Sequence, residues 1–167
     1  MIRLAGLHGI TKRIICAIIV FAVFLPAADI LYAAKKRSMI IIYNSGRQIK
    51  LTSKSGKFYK LRRACEKLLR KADSRLRLDD REKVISSIRQ NETAVEVIYS
   101  RPKRITIKPF DKKRVRVTRL IIPATGRFAA DDAATIFYWD AEDEMVDLFV
   151  NSKGVAEFKA LVDSAIY

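Results

Sequence analysis

The chain has 167 residues, with 33 Lys and Arg against 18 Asp and Glu, so it is strongly basic. Its single histidine is His8, and beyond residue 34 its single cysteine is Cys65. These counts exclude Ser-His-Asp and Cys-His catalysis, a histidine-ligated zinc site and an internal disulfide from residues 35–167. The six glycines are scattered and form no phosphate-binding loop, so we expect no cofactor.

The first predicted element is an apolar run from Ile14 to Ala28, preceded by a short basic leader. Its fifteen uncharged residues fall short of the roughly 20 needed to span a bilayer as a helix. They fit the apolar region of a secretory signal, which also requires positive charge before it. Cleavage is then expected near Ala33 or Ala34, although neither position has the small-residue pattern of a clean site.

A membrane anchor is the alternative interpretation of the same segment. If a membrane-spanning helix can include the charged residue Asp29, the segment from Ile14 to Ala34 is long enough to span a bilayer. Lys35, Lys36 and Arg37 follow immediately, and positive charge at that end opposes its translocation. We therefore predict that residues 1–34 are a signal peptide or an anchor, and that the protein is exported (extracytoplasmic, secreted) or membrane-anchored.

The elements that follow begin with a hairpin and two helices. Branched apolar runs flank Asn44-Ser45-Gly46, a pattern typical of a β-hairpin. Apolar residues at spacings of three and four predict an amphipathic helix over 57–72. A second helix is predicted from Asp79, where Asp79 and Glu82 have the spacing of a capping box.

The rest of the chain is predicted to form five strands and a last helix. Alternating segments predict strands at 93–99, 104–108, 114–122, 134–140 and 145–150, with "SRPK" and "PFDKK" as turns. Phe137, Tyr138 and Trp139 are interpreted as core residues, and a helix is predicted over 153–166. The fold class is α+β, a mainly antiparallel sheet with about three helices packed on one face. Residues 35–167 are expected to form one basic domain.

The basic charge is concentrated before residue 128. Residues 35–127 hold 28 basic and 8 acidic side chains, whereas residues 128–167 hold 2 basic and 9 acidic ones. The electrostatic field of this excess positive charge favours the binding of anionic partners. Phospholipid, an anionic wall polymer and an acidic protein all qualify, and self-association of the basic and acidic parts is a further alternative. Nucleic acid is disfavoured because no aromatic-interleaved motif accompanies the basic segments.

Candidate anion-binding residues come from two elements. One is the polar face of the first helix, and the other is the polar side of two strands that would cluster if paired in register. They are Lys60, Arg63, Lys67, Arg70, Arg104, Lys108, Arg114 and Arg116. A solvated basic face is the alternative interpretation.

The acidic segment "DAEDEMVD" is the other candidate site. Asp140, Glu142, Asp143 and Glu144 are dense enough to suggest oxygen ligands for a divalent metal. The glycine of a standard calcium loop is missing, and a solvated acidic turn is the alternative. We expect a non-enzymatic binding domain that docks on an anionic surface or acidic protein. A carboxylate-based, metal-dependent enzyme using Asp140–Asp147 is the second hypothesis.

The leader generates the first testable prediction. After expression of the full chain, a cleaved signal gives an extracytoplasmic product whose intact mass and N-terminal residue place its start near Ala34 or Lys35. An uncleaved anchor gives the intact chain in the membrane fraction. Recovery of the intact chain in the soluble cytoplasmic fraction would contradict both interpretations.

Overall fold

A computed structural model describes residues 37–107, 113–152 and 154–167. The predicted leader, its cleavage site and Lys108 lie outside these residues. Within the described ranges, no helix is both long enough and apolar enough to cross a membrane.

Seven strands form one sheet, and three helices accompany it. The strands are β1 (Met39–Asn44), β2 (Arg47–Leu51), β3 (Ser74–Arg75), β4 (Thr93–Ile107), β5 (Lys113–Pro123), β6 (Ala133–Trp139) and β7 (Met145–Asn151). The helices are α1 (Gly56–Arg70), α2 (Arg81–Asn91) and α3 (Gly154–Ile166). The strand order is β2-β1-β4-β5-β6-β7-β3, and every neighbouring pair is antiparallel. The predicted α+β class with an antiparallel sheet is confirmed.

The segment "SRPK" does not form the predicted turn. β4 is continuous from Thr93 to Ile107, and the register against β5 shifts between Ile98 and Lys103. An irregularity of this kind gives one strand extra residues without ending it. Pro102, which has no N–H to donate, lies at this interruption of the ladder. Two predicted strands are therefore one long strand.

The helices occupy both faces of the sheet, not one. In β1, Ile40 and Ile42 belong to the core under α1 and α3, whereas Ile41 and Tyr43 pack with residues of α2. The physical reason is visible in β1 itself. Its apolar residues do not alternate with polar ones, and a strand that is apolar on both faces needs cover on both.

The larger core lies between the sheet and the helix pair α1 and α3. The predicted apolar stripe of α1 is buried there, including Phe58, Leu61 and Leu68, and it meets Val155 and Phe158 of α3. Each fully buried side chain of this size contributes about 1.5–3 kcal/mol. Cys65 lies in the same stripe and is fully buried.

The chain between α1 and α2 is tied to β7 through a buried carboxylate. The side chain of Asp147 is inaccessible to solvent, and Nε of Arg81 lies 3.0 Å from both of its oxygens. The backbone N–H of Leu78 also donates to Asp147 Oδ2 at 3.3 Å. These bonds hold the start of α2, whose N-cap residue is Asp80 and not Asp79, without a capping bond of its own.

Replacing this carboxylate should destabilise the domain. Asp147→Ala removes the acceptor of the Leu78 N–H and the ion-pair partner of Arg81, and the loss of hydrogen bonds to a charged group costs about 1.5–3 kcal/mol. Urea unfolding measures the change. The matched control is Lys83→Ala, which removes the solvent-exposed pair with Asp80 and should change stability by less than about 0.5 kcal/mol. Equal effects of the two substitutions would contradict this role of Asp147.

Candidate anion-binding surfaces

The inner strands β4 and β5 extend past their neighbours as a two-stranded ribbon. β1 pairs with β4 at residues 93–98, and β6 pairs with β5 at residues 119–121. Residues 103–107 of β4 pair with residues 113–117 of β5 beyond those ladders. We call these two segments the arginine ribbon, because of the side chains on one of its sides.

The two sides of the arginine ribbon differ. Ile105, Ile107 and Val117 are buried in the core under α1. Arg104 and Arg116 are directly opposite each other in the register and lie on the other side, where Arg114 faces Thr106. All three arginines are exposed, and none forms an ion pair with another described residue. This is the in-register clustering predicted from the sequence, apart from Lys108.

Such an arrangement carries an electrostatic cost. Directly opposite residues of an antiparallel pair have Cβ atoms about 4.5–5.5 Å apart, and like charges at that spacing destabilise the pair. An anion placed between the guanidinium groups would remove the repulsion. Arginine suits this role because its planar fork binds carboxylate or phosphate oxygens in pairs.

The four predicted residues of α1 form a different surface. Lys60, Arg63 and Lys67 line a groove between α1 and α3, together with Glu157 and Leu161. Lys67 Nζ lies 3.0 Å from Glu157 Oε2, an exposed ion pair. Part of the positive charge of this surface is therefore already balanced.

A buried carboxylate on α1 balances more of that charge. Glu66 is 5% exposed, and Arg70 Nη2 lies 3.7 Å from its Oε2. Arg62 Nε lies 3.6 Å from Glu66 Oε1, and the hydroxyl of Tyr99 donates to the same oxygen at 3.3 Å. Burial and the adjacent Glu66 charge raise the pKa of Tyr99. Sequence reasoning missed Glu66, because it occurs within a run of basic residues.

The eight predicted residues therefore do not form one site. α1 packs on the side of β4 that carries Ile105, and the ribbon arginines lie on the opposite side. A flat anionic surface can contact the α1 surface or the arginine ribbon, but not both at once. Lys108 lies outside the described residues.

A second buried carboxylate lies on the α2 side of the sheet. Glu96 of β4 is 2% exposed; the Tyr43 hydroxyl donates to its Oε2 at 2.6 Å, and Arg89 Nη2 donates to its Oε1 at 2.9 Å. Arg119 Nε lies 3.4 Å from the same Oε1. The Arg119 guanidinium also stacks on the Trp139 ring, 5.0 Å from its centroid.

The Glu96 cluster was not predicted. Its signal in the sequence is a single acidic residue inside the apolar segment "AVEVI". Because buried charges are normally paired, that residue implies basic partners, but not which ones. Burial, together with the hydrogen bond to Glu96, raises the pKa of Tyr43 to about 12.

The four candidate metal ligands belong to the turn between β6 and β7. Asp140 Oδ1 accepts hydrogen bonds from the backbone amides of Glu142 at 2.9 Å and Glu144 at 3.0 Å, which closes the turn. Glu142, Asp143 and Glu144 are exposed. Among the described residues, no three His, Cys, Asp or Glu side chains are placed to hold a metal ion.

No protein-family description matches this chain, and neither the curated proteins nor the solved structures include a significant match to it.

The Tyr43–Glu96 bond predicts a specific loss of stability at alkaline pH. The pKa of Tyr43 is about 12 in the folded protein, against 10.0 for an unperturbed tyrosine. The stabilising contribution is therefore complete below pH 10 and is lost as the pH rises from 10 to 12. Over that interval the free energy of unfolding should fall more steeply for the wild type than for Tyr43→Phe.

Urea unfolding at several pH values between 9 and 12 measures both slopes. Tyr99 and Tyr138, whose pKa values are also raised by burial, are present in both proteins and cancel in the comparison. Identical slopes would contradict the assigned role of Tyr43.

Proposed function

We propose that residues 35–167 form a non-enzymatic binding domain, exported or tethered to a membrane by residues 1–34, that docks on an anionic surface or an acidic protein. The observation that carries this proposal is the arginine ribbon. Arg104, Arg114 and Arg116 share one exposed side without a carboxylate partner among the described residues.

The arginine ribbon is favoured over the α1 surface because its charge is unbalanced. Of the four predicted α1 residues, Lys67 pairs with Glu157 and Arg70 with Glu66. None of the three ribbon arginines has such a pair in the described part of the chain. An incoming anion at the ribbon therefore displaces no ion-pair partner from the described residues.

The nucleophiles and acids of the domain support a binding role over catalysis. Burial raises the pKa of the Cys65 thiol, which disfavours the reactive thiolate. Asp147, Glu66 and Glu96 are buried against arginines, and Asp140 is engaged in its own turn. This arrangement gives no separate support to the second hypothesis, a carboxylate-based enzyme.

Removing the three ribbon charges should weaken docking strongly. Each basic residue near an anionic surface contributes about 1 kcal/mol. The variant Arg104→Gln/Arg114→Gln/Arg116→Gln should therefore bind phosphatidylglycerol vesicles and soluble polyglutamate roughly 100-fold more weakly than the wild type, since 1.4 kcal/mol is about tenfold. Co-sedimentation and fluorescence anisotropy measure the two affinities at low salt.

The matched control removes the same charge elsewhere. Arg47→Gln/Lys54→Gln/Lys71→Gln alters three exposed basic residues, in β2, in the segment after it and at the C-cap of α1, on the side of the sheet away from the ribbon arginines. This variant should bind much more tightly than the ribbon variant. Raising the salt from about 0.1 to about 1 M shortens the screening length from about 10 to about 3 Å and should release the wild type. Equal losses in both variants, or binding that ignores salt, would contradict docking through the arginine ribbon.

A further inference from the structure

A row of side chains crosses the sheet beside the arginine ribbon. Its five members are successive partners in the strand register, one from each of β1, β4, β5, β6 and β7. They are Met39, Ile98, Arg119, Trp139 and Met145. Directly paired residues of neighbouring strands share a face, so these five form one continuous strip, which we call the end row.

The end row marks the limit of the core on the α2 side of the sheet. The next row inward consists of Ile41, Glu96, Ile121, Phe137 and Asp147, and each of them is buried. All five members of the end row are partly exposed. Trp139, interpreted from the sequence as a core residue, therefore contacts both the core and solvent.

The end row and the ribbon arginines lie on the same side of β4. Tyr99 and Ile105 both face the core under α1, so the strand keeps its alternation through the register shift. Ile98 and Arg104 therefore both face away from α1. This side of the molecule combines partly exposed apolar groups with guanidinium groups that have no ion-pair partner in the described ranges.

Resting on the proposed function, we infer that the anionic partner is a lipid bilayer, contacted by the arginine ribbon and the end row together. Arginine forks bind lipid phosphate oxygens. Tryptophan is enriched at the membrane–water interface, where the ring is half in an apolar and half in an aqueous environment. A soluble polyanion would contact only the arginines. The apolar end-row members Met39, Ile98 and Trp139 favour a lipid bilayer over a soluble polyanion as the partner.

The acidic turn fixes which part of this side approaches the bilayer. Exposed Glu142, Asp143 and Glu144 lie in the turn between Trp139 and Met145 and would be repelled by anionic headgroups. The contact is therefore centred on β1, β4 and β5, with Trp139 at its border. Glu142→Gln/Glu144→Gln lowers the repulsion and should strengthen binding, the opposite of the effect of the ribbon substitutions.

Trp139 is the only tryptophan in the chain and reports directly on this contact. The full-length protein is mixed with vesicles of phosphatidylglycerol and phosphatidylcholine, or of phosphatidylcholine alone, each containing brominated lipid. With phosphatidylglycerol present, Trp139 emission should shift to shorter wavelength and be quenched by bromine. With phosphatidylcholine alone it should not, so tethering by the leader is separated from docking of the domain.

Two matched substitutions test the end row itself. Ile98→Gln should weaken binding to the anionic vesicles severalfold at unchanged net charge. Ile49→Gln is the control, because Ile49 is also a partly exposed strand isoleucine but packs toward α1, on the other side of the sheet. Circular dichroism and thermal melts confirm that both variants are folded before they are compared.

The outcomes separate this inference from the proposed function. Ribbon-dependent binding to anionic vesicles without a Trp139 shift or quenching would overturn the lipid-contacting end row and leave anion docking intact. Ribbon-dependent binding to polyglutamate but not to vesicles would assign the surface to an acidic protein instead. Loss of ribbon dependence on every polyanion would overturn both.

Discussion

The sheet is organised around β4, a fifteen-residue strand that meets different environments along its length. Its first half pairs with β1 and β5 and is covered by helices on both faces. Among the described strands, its second half pairs with β5 alone, and its buried residues Ile105 and Ile107 belong to the core under α1. Because the strand continues through a register shift, its side facing α1 remains apolar. Its opposite side is exposed beyond the shift and bears an arginine. The arginine ribbon exists because β4 does not end where its neighbours do.

The buried carboxylates determine which basic side chains are engaged in ion pairs within the protein and which can bind an external anion. Glu96 on one side of the sheet pairs with Arg89 and Arg119, and Glu66 on the other side lies near Arg70 and Lys103. Isolated ionised carboxylates are costly to bury, so each draws basic groups toward it. The ribbon arginines have no such group nearby among the described residues. The unevenness of the surface charge thus follows from the packing of the two cores.

The ribbon arginines oppose stability, which is why they suggest a role outside folding. Arg104 and Arg116 face each other across the ladder, where an opposite-charge or apolar pair would stabilise the sheet better. The end row is similar in kind, since Trp139 and Met39 are apolar side chains that remain partly exposed. Departures of this sort from the best local choice are typical of functional surfaces. Their occurrence on one side of the sheet makes a shared role the simplest explanation.

The sequence by itself determined the kinds of element and much of their pairing. Helical spacing identified α1 and α3, short turns implied antiparallel neighbours, and alternation placed Arg104 and Arg116 on one side of their strands. These features depend on residues a few positions apart, so local patterns contain them. The continuity of β4 through "SRPK" and the placement of α2 on the second face were decided by the tertiary structure. So were the partners of Glu96 and the assembly of the end row from five strands. Each depends on packing between segments distant in the chain, and a local pattern carries no information about which distant surface will meet it.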